Sequence, residues 1–169
     1  MSKQTRKRSY VKRYIPKQLT KKDKQKQKYN LDKSRKMYKK KKYYTRKKVS
    51  SFKSKPSKHL LKVQQIYKIN KVVPSVSLAK KTGCSLESLK QIEKKGQGAY
   101  FSSGSRPNQT AHSWGRARLA SSITGGKSAA VDYLILKNGC KKNSKALKLA
   151  NKSRKIHKFG QRRVPKIKI

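Results

Sequence analysis

An excess of positive charge constrains this chain more than any other feature of its sequence. Of its 169 residues, 50 are Lys or Arg and five are Asp or Glu, so the formal net charge is +45. Like charges held close together repel one another and destabilise a compact state. We therefore expect the chain to bind a polyanion, because neutralising phosphates with Lys and Arg releases condensed counterions and gives strong, salt-dependent association.

The charge is distributed unevenly along the chain, and this predicts three regions. Residues 1–58 form a Lys- and Tyr-rich arm with few aliphatic side chains, which predicts a disordered or extended segment. Residues 59–155 hold enough apolar side chains for one small helical domain, and residues 156–169 form a basic tail. The predicted fold is mainly α: a small helical domain with a Gly- and Ser-rich structured loop, flanked by extended basic arms.

Aromatic side chains alternate with cations in the N-terminal arm. Tyr43 and Tyr44 follow the densest run of lysines, and Phe52 lies a few residues further on. Such rings either stack on unpaired bases, enter pockets of a protein partner or lie flat on their own chain, and these interpretations stay open. The arm and tail cations predicted to contact nucleic acid are Lys39, Lys40, Lys41, Lys42, Arg46, Lys47, Lys48, Arg162 and Arg163.

Residues 78–92 fit a helix-turn-helix pattern. Ala79 is small enough for two helices to cross, Gly83 supplies a left-handed turn, and Ser85 caps the second helix. Leu89 and Ile92 would line the buried face of that helix. The side chains that it would present to a DNA groove are Ser88, Lys90, Gln91 and Lys94. The same spacing also suits an ordinary helical hairpin.

Helical spacing and glycine positions divide the rest of the domain. The apolar spacing predicts a helix over residues 60–67. A second helix over residues 111–124 would end at Gly125 and Gly126, and Asn143 or Ser144 would cap a last helix over residues 145–155. A short apolar element is expected over residues 128–136. We expect Gly96 to end the helix that Ser85 begins, and residues 96–110 to form a structured loop. In that loop, Arg106 either holds a phosphate or carboxylate or bonds the loop backbone. Trp114, the only Trp, is expected to be buried.

The residues that could support catalysis or metal binding are few. Cys84 and Cys140 form no CxxC pattern, and none of the three His residues has metal-ligand spacing with either of them. We interpret the cysteines as structural thiols in a reducing compartment, with one disulfide between them as the open alternative. No spacing implies a converging nucleophile, base and orienting group, so we expect no enzyme, metal or cofactor. No apolar stretch is long enough for a signal peptide or membrane span, so no membrane partner is expected.

One run of residues resembles a known family. Residues 96–110 are Gly-Gln-Gly-Ala-Tyr-Phe-Ser-Ser-Gly-Ser-Arg-Pro-Asn-Gln-Thr. This run is similar to an uncharacterised domain of large DNA viruses of algae and protists, and of some tailed phages. The resemblance extends over about residues 12–150. It implies a viral protein of unassigned function and carries over no catalytic residue.

Charge and resemblance together predict a viral structural protein that binds DNA, or another polyanion, non-catalytically through its basic arms. Binding should be largely indifferent to sequence. One alternative is a minor capsid protein whose arms thread between capsid subunits. A weaker alternative is a transcription regulator that uses the helix-turn-helix. We expect the protein inside the virion or on the inner capsid face, after assembly in the host cytoplasm or nucleus.

Overall fold

A computed structural model describes residues 7–161 and 163–169. Within that part of the chain the fold is mainly α, as predicted, with eight α-helices and two short strands. The helices are α1 (Lys21–Lys39), α2 (Lys58–Tyr67), α3 (Val76–Thr82), α4 (Leu86–Ser102), α5 (Ala111–Ile123), α6 (Lys127–Val131), α7 (Tyr133–Gly139) and α8 (Lys145–Ile156). The strands are β1 (Ser9–Val11) and β2 (Lys166–Lys168), which pair antiparallel with Tyr10 opposite Ile167.

Local capping sets several helix boundaries where the sequence predicts them. The Ser85 hydroxyl accepts a 3.2 Å hydrogen bond from the Ser88 N–H at the start of α4. Gly83, between α3 and α4, has a φ of 72°, the left-handed conformation expected of a glycine after a helix. Ser144 accepts from the Leu147 N–H and begins α8.

The prediction that Gly96 ends a helix is wrong, because α4 continues through it to Ser102. A Cβ atom at Gly96 would lie 2.7 Å from the Cα of Gly115 in α5, so the glycine allows the two helices to approach closely. Only residues 103–110 of the predicted loop are irregular.

Buried side chains from α4, α5 and neighbouring helices form the main core, among them Val63, Leu78, Leu89, Ile92, Leu119, Ile123 and Leu136.

A disulfide joins Cys84 and Cys140, so the interpretation as two thiols is wrong and the open alternative is confirmed. Cys84 lies in the turn between α3 and α4, and Cys140 directly follows α7. The two residues pair in an antiparallel bridge, which places their side chains opposite each other. The sequence alone does not show this pairing, because 56 positions separate the cysteines.

The N-terminal segment is partly helical and packed over the described residues 7–58, so the prediction of a wholly disordered or extended arm is wrong there. It contains the 19-residue helix α1, and β1 pairs with a strand from the C-terminal tail. Its side chains also build a second core cluster, formed by Tyr10, Tyr14, Ile15, Leu19, Leu31 and Val49. Trp114, half-buried rather than fully buried, packs against this cluster from α5. Few aliphatic residues suffice because tyrosine rings contribute a large buried area.

The face of α1 that meets the rest of the chain is mostly polar. Its buried residues are Asp23, Gln27, Asn30, Leu31 and Ser34, spaced to share one side of the helix. Asp23 accepts hydrogen bonds from the N–H and the hydroxyl of Ser51, at 2.8 and 2.5 Å. Asn30 accepts from the Tyr44 hydroxyl at 3.0 Å. These bonds hold residues 43–52, here called the return segment, against α1.

Candidate nucleic-acid interface

The densest run of lysines forms an ordered turn at the end of α1. The Lys42 N–H donates to the Met37 carbonyl at 3.0 Å, and the Lys41 N–H donates to the Tyr38 carbonyl at 2.9 Å. With Lys41 at a φ of 57°, these bonds form a Schellman motif. The side chains of residues 39–42, here called the lysine turn, are all exposed. Their charges lie at a helix C-terminus, where the macrodipole favours cations.

Hydrogen bonds hold the lysine turn beside the C-terminal end of α4. The Arg35 guanidinium donates two bonds to the Ser103 carbonyl, at 3.2 and 2.8 Å. The Ser34 hydroxyl donates to the Phe101 carbonyl at 3.2 Å. The position of the turn is therefore set by contacts between two helices rather than by a flexible loop.

A group of aromatic rings lies next to the lysine turn, with Tyr38 and Tyr43 exposed and Phe101 partly buried. The Tyr43 ring is 71% exposed, with its centroid 5.1 Å from that of Phe101 and 6.2 Å from that of Tyr38. We call Tyr38, Tyr43 and Phe101 the aromatic patch. Tyr44 and Phe52 do not share this exposure, because Tyr44 bonds Asn30 and Phe52 packs on the second core cluster.

Helix α4 carries further cations toward the aromatic patch. Lys90, Gln91 and Lys94 are exposed, as the sequence predicts. At about 100° per residue, Lys90, Lys94 and Phe101 fall within about 40° of one another around the helix axis. We call Lys90 and Lys94 the basic stripe of α4. Ser88, predicted to face outward with them, is instead buried against Gly139.

Arg46 is not available to phosphate, which corrects the sequence prediction. It is 7% exposed, and its guanidinium lies 3.7 Å from the centroid of the Tyr100 ring. The guanidinium donates to the Tyr100 carbonyl at 2.6 Å and to the hydroxyls of Ser34 and Ser105 at 3.0 and 2.6 Å. Burial lowers the pKa of this guanidinium from its ordinary value. Arg46 therefore joins the return segment to the end of α4.

The other predicted cations lie apart from the lysine turn in sequence. Those that the structure describes as exposed are Lys47, Lys48, Arg106 and Arg163, whereas Arg162 lies outside the described residues. In the loop that holds Arg106, the neighbouring Asn108 donates to the carbonyls of Val49 and Phe52 at 3.0 and 2.7 Å. That loop therefore anchors the return segment.

Three of the five acidic side chains accept hydrogen bonds from other side chains of the chain. Asp132 is buried and accepts two bonds from Arg118, at 2.8 and 2.7 Å, and one from Lys95 at 3.0 Å. Burial opposes ionisation of this carboxyl, but the bonds and charges of Arg118 and Lys95 hold its pKa below the ordinary value. Asp23 and Asp32 also accept hydrogen bonds from side chains of the N-terminal segment. The carboxylates thus stabilise the fold internally.

The candidate helix-turn-helix is more enclosed than its sequence suggests. Helix α7 lies beside the first turns of α4, and the two border a shallow cleft of about 360 Å³ whose lining includes Gln91 and Leu134. The disulfide of Cys84 ties the turn to the end of α7. A recognition helix needs its first turns free to enter the major groove, and here α7 flanks them.

The chemistry of the interface is that of cations and aromatic rings. Residues 7–161 and 163–169 contain no group of three or more His, Cys, Asp or Glu side chains placed to hold a metal ion. Of the helices in this part of the chain, none combines the length and apolar character that crossing a membrane requires.

The comparison with known proteins gives one match. No curated protein and no solved structure matches the chain. Residues 11–144 match a family described as a family of unknown function, DUF5824. The matched span includes α1, the lysine turn, the aromatic patch and α4, so the candidate interface lies within it. The chain therefore belongs to this family of unknown function, DUF5824.

Proposed function

We propose that the chain binds nucleic acid through the phosphate backbone, non-catalytically and with little sequence preference, as a structural component of a virus particle. The observation that carries the proposal is the lysine turn, where four exposed cations are held on an ordered helix end. Three of the five carboxylates are meanwhile bonded internally. The net charge of +45 is therefore borne by a surface with few opposing groups.

Lysine is the main residue of this surface, and it favours phosphate binding over base recognition. Its ammonium acts as a point charge that holds phosphate without reading sequence. Gln91 has an amide suited to a base edge, but it borders the cleft beside α7. The hypothesis of a sequence-specific regulator therefore has less support than nonspecific binding.

The capsid hypothesis also has less support. Arms that thread between capsid subunits must be free to leave their own chain. Here Tyr10 and Tyr14 are buried in the second core cluster, and Asp23 and Asn30 hold the return segment on α1. Releasing the segment would expose those rings and break those bonds. The virus particle itself enters the proposal through the resemblance of residues 96–110.

Charge removal at the lysine turn tests the proposal. Deleting residues 1–58 would remove part of a core, so substitution is the cleaner perturbation. The test variant carries Lys39→Gln, Lys40→Gln, Lys41→Gln and Lys42→Gln. The control variant carries Lys145→Gln, Lys148→Gln, Lys152→Gln and Lys155→Gln, four exposed lysines of α8. Both variants lose the same charge, so they differ only in where it is lost.

Binding to a mixed-sequence DNA duplex is measured for both variants from low to physiological salt. The slope of log K against log salt should fall by roughly 3 to 4 in the lysine-turn variant, if all four lysines neutralise phosphates. The salt slope of the α8 variant should fall by less than that of the lysine-turn variant. Equal losses would show that only bulk charge matters, and no DNA binding by the native chain would reject the proposal. In purified particles, salt extraction should release the protein with the genome rather than with the shell.

A further inference from the structure

Two rings of the aromatic patch are exposed and contribute little to the packing of the core. Tyr43 is 71% exposed and Tyr38 is 37% exposed, although both lie near another ring. The second core cluster uses other tyrosines, so these two rings contribute little to the folded core. Exposed rings that lie together on the surface and contribute little to the core mark a candidate contact site.

The patch is held in place before any ligand arrives. Tyr38 lies in the last turn of α1, and Phe101 in the last turn of α4. Tyr43 follows the Schellman motif directly, and the next residue, Tyr44, is tied to Asn30. Because both helix ends and the following chain are fixed, little conformational entropy would be lost when a ligand stacks here.

The surroundings of the patch match a chain of phosphates. The lysine turn separates Tyr38 from Tyr43 in sequence, so four exposed cations lie beside the rings. On the other side, Lys94 of the basic stripe lies about 10 Å along α4 from Phe101. Rings flanked by a basic track are the arrangement with which proteins hold single-stranded nucleic acid, as bases stack and phosphates pair with cations.

We propose that Tyr38, Tyr43 and Phe101 form a stacking site for unpaired bases, so that the chain binds single strands at the lysine turn and holds duplex by charge alone. This inference rests on the proposed function and specifies the form of nucleic acid. Bases in a duplex are stacked on their neighbours and cannot offer their faces to Tyr43. A single strand can, and every base has a face, so the site tolerates any sequence.

The test separates ring stacking from charge. In Tyr43→Leu the residue stays apolar but loses its ring, and Tyr43→Phe keeps the ring. The matched control is Tyr29→Leu, because Tyr29 is 65% exposed on α1 and lies outside the patch. The probes are a labelled thymidine 20-mer, a uridine 20-mer and a 20-base-pair mixed-sequence duplex. Thermal unfolding of each variant confirms that the fold is intact.

Tyr43→Leu should weaken thymidine 20-mer binding roughly 5- to 150-fold, the range for loss of one stacked base. Its duplex affinity and its salt slope should not change, because no charge is removed. Tyr43→Phe and Tyr29→Leu should bind like the native chain. A loss shared equally by single strand and duplex, or no loss at all, would overturn the stacking site and leave the proposed function standing. If the native chain bound neither probe at physiological salt, both proposals would fail.

The ribonucleotide probe serves as a second arm of the same experiment. The stacking site predicts that Tyr43→Leu weakens binding of the uridine 20-mer as well, since uracil also offers a ring face. If Tyr43→Leu weakens neither oligonucleotide but abolishes binding to a protein of the particle, the patch is a protein contact and the inference is wrong.

Discussion

Replacing Arg46 tests whether its guanidinium stabilises the fold or contacts nucleic acid. Arg46→Met keeps much of the side-chain volume but removes the charge and all three donated bonds, to Ser34, Tyr100 and Ser105. Hydrogen bonds to a charged group contribute about 1.5–3 kcal/mol each, but they do not add fully and burial of the charge opposes them. We expect a net loss of about 3 kcal/mol in the free energy of unfolding.

A loss of that size is a large fraction of the total stability, which for a folded protein is about 5–15 kcal/mol. For a chain of this length it corresponds to a fall in Tm of roughly 6–12 °C. Urea unfolding followed by Trp114 fluorescence suits the measurement, because Trp114 packs against Tyr14 in the second core cluster. Circular dichroism at the same urea concentrations reports the helices.

The matched control is Lys47→Met, which removes one charge from the neighbouring exposed position. It should change the free energy of unfolding by no more than about 0.5 kcal/mol and weaken duplex binding slightly. If Arg46→Met were as stable as Lys47→Met but bound DNA much more weakly, the buried role of Arg46 would be refuted. Arg46 would then be a phosphate contact, as its sequence position predicts.

Three further predictions concern the rest of the fold. Because Asp132 has a lowered pKa in the folded state, its stabilising effect is present above the ordinary carboxyl value of 3.8 and is lost as the pH falls through the folded value. Asp132→Asn should therefore lower Tm at pH 7, and its Tm should fall less steeply than that of the native chain between about pH 5 and pH 2. Circular dichroism measures both. Gly96→Ala should lower the free energy of unfolding by about 1–3 kcal/mol, because the added Cβ forces α4 away from α5. Gly98→Ala, which has open space at its Cβ, should raise it by up to about 1 kcal/mol. Urea unfolding measures both changes. Reducing the disulfide between Cys84 and Cys140 should lower the free energy of unfolding by about 4 kcal/mol, because the unfolded chain gains entropy. Two free thiols found by mass spectrometry without reductant would contradict the presence of this disulfide.

The starts of α4 and α8 and the turn between α3 and α4 were predictable because the interactions that set them are local. Ser85, Gly83 and Ser144 act on backbone groups within a few residues of themselves, so their roles follow from neighbouring positions. The predicted element over residues 60–67 corresponds to α2 for a similar reason, since its apolar residues recur with the helical period. The predicted element over residues 111–124 corresponds to α5, and its end follows from the glycines at 125 and 126.

Helix α1 escaped prediction because its buried face is polar. Hydrophobic periodicity detects a helix by its apolar stripe, and α1 buries Asp23, Gln27, Asn30 and Ser34 together with a single aliphatic residue, Leu31. Those polar groups are satisfied by the return segment, which lies many positions away in sequence. The spacing of Asp23, Gln27, Asn30 and Ser34 was the available indication, but polar residues at that spacing usually face solvent.

Gly96 shows how one residue type serves two purposes. Glycine near a run of lysines is typical of a helix end, and the sequence predicts that outcome. The helix continues because α4 and α5 gain packing when their backbones approach at Gly96 and Gly115. Only the position of the second helix decides between these outcomes, and that position is a tertiary property.

The sequence by itself determined that this chain is strongly cationic, rich in lysine and mainly helical in its middle, because charge and local helix preference are sums over residues. Tertiary structure decided what each charged or aromatic side chain faces. It buried Arg46 and left its neighbour Lys47 exposed, and it gathered Tyr38, Tyr43 and Phe101 at two helix ends. Burial and contact depend on which distant segments meet, and no property of a residue's own neighbourhood in sequence specifies that.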